Sequence, residues 1–132
     1  MLYPAELESV RPAREWAARV VGDRGGSPAA QRLVTLLASE LVTNAVKYGP
    51  RDASIAIDAR CSGGTVRISV TDHGSELPVV LDPPPQQPGG RGMRLVDTLA
   101  TAWGVTALQS GDGKTVWFQV DLDTGVPAQH PA

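Results

Sequence analysis

The chain has 132 residues, 42% of them hydrophobic, and twelve Lys and Arg against fourteen Asp and Glu leave a net charge of −2. That length holds one domain and one core, that composition excludes disorder along the whole chain, and a balance without basic excess gives no drive toward nucleic acid. One cysteine, Cys61, excludes an internal disulfide and a thiolate zinc cluster, and two histidines, His73 and His130, are too few for a His-based metal site.

Apolar runs are short and the N-terminus lacks the plan of a signal peptide, so a cytoplasmic domain that spans no membrane is expected. Val10, Ala13, Ala17, Val20 and Val21 recur at helical spacing, with Ser9 as N-cap and Gly22 as stop. Ser27-Pro28 opens a second helix, which carries Leu33, Leu36, Leu37, Leu41, Ala45 and Val46 to Gly49-Pro50. The period then changes to two. Ile55, Ile57 and Ala59 alternate in one strand and Val66, Ile68 and Val70 in the next, with Ser62-Gly63-Gly64 as a hairpin turn between them. Residues 83–92 hold four prolines and three glycines and exclude regular structure. Met93 to Ala100 predicts a short helix, residues 102–109 a strand, Gly111-Asp112-Gly113 a turn, and Val116, Phe118, Val120 and Leu122 a last strand. Short turns between strands imply antiparallel pairing. The expectation is an α/β two-layer sandwich over residues 1–123, with helices on one face of a mostly antiparallel sheet and a frayed tail at 124–132.

Three places break the pattern. With Glu40 at zero and ~100° per residue, Asn44 falls at ~40° and Lys47 at about −20°, beside Leu33, Leu36 and Leu37. Gln31, Arg32, Thr35, Ser39 and Thr43 point away, toward solvent. The polar trio is a solvated helix end, a local network, or the wall of a wet pocket. Asp72 continues the inward row of Val66, Ile68 and Val70, either to cap the turn at His73-Gly74 or to accept from a ligand amine. Gly89-Gly90-Arg91-Gly92 precedes a helix, as a flexible loop or as an anion site with Arg91 and Arg94 adding charge.

Their order and spacing carry a resemblance. Glu40-Leu41-Val42-Thr43-Asn44-Ala45-Val46-Lys47-Tyr48-Gly49 resembles the N-box of the GHKL ATPase superfamily, which includes type II topoisomerases, histidine-kinase catalytic domains and mismatch-repair ATPases. Val70-Thr71-Asp72-His73-Gly74 resembles its G1 box, and Gly90-Arg91-Gly92-Met93-Arg94-Leu95-Val96 its G2 box. Gly111-Asp112-Gly113-Lys114-Thr115-Val116-Trp117-Phe118 resembles the last Gly/Thr motif, and its ending is most similar to the anti-sigma-factor serine-kinase branch. The chain departs from the pattern at Glu76, where the G1 box usually carries Gly, and in its proline-rich lid.

The resemblance implies ATP and Mg²⁺ as cofactors. Asn44 would hold Mg²⁺ and Glu40 would be the general base. Lys47 would contact phosphate and Tyr48 would line the pocket. Asp72 would accept from the adenine amine, with Gly74 letting the base approach. Gly90, Arg91 and Gly92 would meet the phosphates, Thr115 would support the adenine side, and residues 79–91 would be the lid. The implied function is an ATP-dependent protein serine/threonine kinase that phosphorylates a small antagonist and sequesters a sigma factor, with homodimerisation suggested by the relatives. The alternative is a non-catalytic, nucleotide-binding regulator. A histidine-kinase catalytic domain is disfavoured for this chain, because neither His73 nor His130 sits on a long helix.

Overall fold

In the computed structural model, which describes residues 1–50, 53–74, 91–109 and 111–125, one antiparallel sheet of five strands backs onto helices. The strands are β1 (Leu2–Pro4), β2 (Ser54–Ser62), β3 (Thr65–Asp72), β4 (Ala102–Ala107) and β5 (Lys114–Asp121), in the order β1-β2-β3-β5-β4. The helices are α1 (Val10–Asp23), α2 (Pro28–Tyr48) and α3 (Arg91–Leu99). This is the expected α/β sandwich, with one strand more than the sequence suggested. At three residues β1 is too short to show a period, yet it pairs with β2 from Leu2 opposite Ala56 to Pro4 opposite Ser54.

The alternation of β3 and β5 builds the core. Val66, Ile68 and Val70 face Val120, Phe118 and Val116 in register, and all six are buried under the helices with Val34, Leu37, Ala38, Leu41 and Val42 of α2. The β2–β3 hairpin closes through Gly63 and Gly64, both at positive φ, as a tight two-residue turn requires. The opposite sheet face carries Arg67, whose guanidinium carbon lies 3.9 Å from the centre of the Trp117 ring. The ring itself covers Gly104, its directly opposed partner in β4.

The helix boundaries are set by caps. Ser27 accepts from the Ala30 N–H at 3.0 Å and Pro28 opens α2, as expected. The stop of α1 is not Gly22, which lies inside the helix. Gly25 takes φ +86°, its N–H reaches the Gly22 carbonyl, and the Gly26 N–H reaches Val21, a Schellman closure three residues later. Ser9 makes no side-chain cap; its hydroxyl donates to the Pro4 carbonyl and ties β1 to the helix layer.

The expected solvent face of α2 is only partly open. Gln31, Thr35, Ser39 and Thr43 are half-buried, and Arg14 of α1 reaches Ser39. The tail is tied back at its start, where the Ser27 hydroxyl donates to the Thr124 carbonyl. Residues 126–132 and the candidate lid before Arg91 lie outside the described residues.

Candidate functional site

The site forms where the ends of α2 and β3 meet the start of β5. Gly74 follows β3 and packs on the last turn of α2, where a β-carbon would stand 2.8 Å from the Tyr48 carbonyl oxygen. Gly49 lies beside it: a β-carbon there would stand at ordinary contact distance, 3.9 Å, from that of Asp72. It is Gly74 that lets the end of α2 and the loop after β3 share one corner.

Asp72 sits in that corner, 3% exposed, at the end of the inward row. Both meanings of its carboxylate are present in part. Oδ1 accepts from the Gly74 N–H at 2.7 Å, which caps the turn. The same oxygen accepts from Lys114 Nζ at 3.0 Å. Among the described residues, Oδ2 accepts no hydrogen bond and is available to a ligand donor.

Lys114 is the residue that sequence reasoning missed. It is 5% exposed and opens the inward row of Val116, Phe118 and Val120. The parity of β5 carried that signal, since Lys114 lies two residues before Val116. Thr115, one residue on, points to the other face. Its hydroxyl meets that of Thr71, its opposed partner, at 2.7 Å. The structure therefore does not bring the Thr115 hydroxyl to Asp72.

On α2 the buried stripe runs through Val34, Leu37, Ala38, Leu41 and Ala45, with Leu36 40% exposed. Glu40, Asn44 and Lys47 flank this stripe rather than continue it: Glu40 and Asn44 are half-buried, Lys47 and Tyr48 exposed. Among the described residues the trio forms no local network. That leaves an amide oxygen and a carboxylate one helical turn apart on α2, half-buried and without a partner among the described residues. This donor set fits Mg²⁺, which takes one or two protein oxygens and completes its shell with phosphate oxygens and water.

Gly90 lies outside the described residues, as does Glu76. Arg91 and Gly92 do not precede α3 but form its first turn. Where a helix begins, its first N–H groups have no intrahelical acceptor and can meet an anion. Met93 and Val96 anchor the helix in the core, and Trp103 Nε1 donates to Asp97 at 2.9 Å, fastening β4 to it.

A five-stranded antiparallel sheet with helices on one face is the ATP-binding sandwich of the GHKL superfamily. The chain belongs to the histidine kinase-like ATPase domain family, which matches residues 3–120. A 56-residue stretch is 43% identical to the sensor-like histidine kinase SenX3 of Mycolicibacterium smegmatis, covering 42% of this chain and 13% of that protein. Full-length ShkA, solved in complex with AMPPNP, is similar with a TM-score of 0.52 and 25% identity over 90% of this chain and 30% of that one. The blue-light activated histidine kinase of Erythrobacter litoralis shares the fold, with a TM-score of 0.53 and 23% identity over 84% of this chain and 41% of that one. The chain thus spans 13% of the curated relative's length. Among the described residues no helix is long and apolar enough to cross a membrane.

Proposed function

We propose that this chain binds Mg-ATP and transfers the γ-phosphate to a protein hydroxyl, as an anti-sigma-factor-type serine/threonine kinase. One observation carries the reading: Glu40 and Asn44 stand one turn apart on α2, half-buried and without a hydrogen-bond or ion-pair partner among the described residues. Asn44 would hold Mg²⁺, which would neutralise charge on the phosphates. Glu40 would take the proton of the attacking hydroxyl as its oxygen bonds to the γ-phosphorus and the bond to ADP breaks. Lys47 would meet phosphate at the exposed end of α2, Tyr48 would line the pocket, and the first turn of α3 would add N–H donors. The acceptor would be a small antagonist protein and the bound target a sigma factor, with the chain acting in the cytoplasm as a homodimer. The run Gly113-Lys114-Thr115-Val116-Trp117-Phe118 supports that branch.

The similarity to histidine kinases supports a second acceptor, a histidine of a partner. Incubation with Mg-[γ-³²P]ATP and candidate acceptors separates the readings. Acid-stable label lost in Glu40→Ala is expected. Acid-labile label would assign the histidine acceptor. ATP binding with no transfer to any acceptor would leave a non-catalytic regulator.

A further inference from the structure

The geometry points to Lys114 as a positioning residue for base recognition: its ammonium holds the Asp72 carboxylate by Oδ1 and so presents Oδ2 to the exocyclic amine of an adenine nucleotide. The inference rests on the ATP-binding reading above and deepens it.

Lys114 and Asp72 are directly opposed partners of β5 and β3. Their side chains are 6% and 5% exposed, and the pair is 3.0 Å apart. Lys114 Nζ also lies 3.4 Å from the Gly74 carbonyl oxygen, while the Gly74 N–H holds Oδ1 at 2.7 Å. One ammonium thus joins the carboxylate to the loop that follows it. The strand that carries Lys114 is itself fixed: Gly113 packs against the Asp72 carbonyl and leaves no room for a β-carbon there.

Stability alone is a weak reason for this arrangement. A buried ion pair often contributes no more than an apolar pair of similar size. Orientation is a better one. Among the described residues both donors to the carboxylate fall on Oδ1, which leaves Oδ2 for a ligand donor. Without the ammonium, one of the two donors that hold Oδ1 is gone, and a carboxylate free to rotate no longer offers Oδ2 to the base at a fixed position.

The test compares ATP with purine riboside triphosphate, which lacks only the exocyclic amine, by calorimetric titration of the full chain with Mg²⁺ present. Wild type is expected to prefer ATP by about tenfold or more, the scale of a hydrogen bond to a charged acceptor. Lys114→Met is expected to bind the two within about twofold, and Lys114→Arg to recover part of the preference. A Lys114→Met preference equal to or above that of wild type overturns the proposal, because a merely structural or competing lysine gives that result. Should Lys114→Met not melt cooperatively, NMR of the wild-type Lys114 ammonium decides. A slowly exchanging signal that persists on ATP addition supports the clamp, and its loss overturns it. Wild type that binds no ATP defeats the nucleotide reading itself; ATP binding with the preference intact in Lys114→Met defeats this inference alone.

Discussion

Gly74 stands so near the end of α2 that a β-carbon on it would lie 2.8 Å from the Tyr48 carbonyl oxygen and 3.2 Å from Asp72 Oδ1. The first obstacle is backbone and cannot swing aside. Gly74→Ala should therefore shift the loop that fixes Asp72, with a loss of about 1–3 kcal/mol in urea unfolding and weaker ATP binding. Unchanged affinity in a folded variant would show that the loop relaxes without moving the carboxylate.

Asn44 and Glu40 should separate in their effects although they are one turn apart. Asn44→Ala should abolish the Mg²⁺ dependence of ATP binding. Glu40→Ala should keep binding within a few-fold and lower phosphate transfer by about 10²–10⁴, the usual contribution of a general base. Titration with and without Mg²⁺, alongside single-turnover transfer, reads both. Equal transfer by wild type and Glu40→Ala would remove Glu40 from the chemistry.

Thr115 offers a contrast. Its hydroxyl bonds Thr71 on the sheet face away from Asp72. Thr115→Val should lower stability by about 1 kcal/mol and leave ATP affinity within about twofold. A tenfold loss of affinity would place that hydroxyl in the pocket after all.

The two glycines at the end of α1 should respond with opposite signs. Gly25, at φ +86°, should lose about 1–2 kcal/mol on substitution by Ala, because an L side chain is strained there. Gly22 is helical, and its added β-carbon would meet only the end of the Gln31 side chain at 3.0 Å. Gly22→Ala should therefore be neutral or gain up to about 1 kcal/mol from helix propensity. Paired thermal melts settle the order.

The layers of this fold were legible because period and punctuation agreed. Ser27-Pro28 and Gly49-Pro50 bracket α2, and the inward row of β3 ends on Asp72 where alternation puts it. What escaped was of three kinds. Strand β1 has no repeat to read and exists through pairing with β2. The stop of α1 depended on choosing among Gly22, Gly25 and Gly26, which only backbone conformation decides. The partner of Asp72 depended on the β3–β5 register, which sets Lys114 opposite it. Helical angles set the Glu40 trio on the stripe of Leu33, Leu36 and Leu37, but of these only Leu37 is fully buried and Leu36 is 40% exposed, so the trio lies on the flank of the core stripe and does not continue it.

The opposed pair of Asp72 and Lys114 spans 42 positions of sequence. No local segment can form this corner by itself. It exists only once β5 has zipped onto β3, a non-local step of the kind that slows folding. Nucleotide should then recognise the completed fold and not its parts, so saturating ATP raises the unfolding free energy by RT ln(1 + [L]/Kd), about 2.7 kcal/mol at a hundredfold excess over Kd. A rise in melting temperature with ATP concentration is thus expected of the intact chain, and a fragment that lacks β5 should show none.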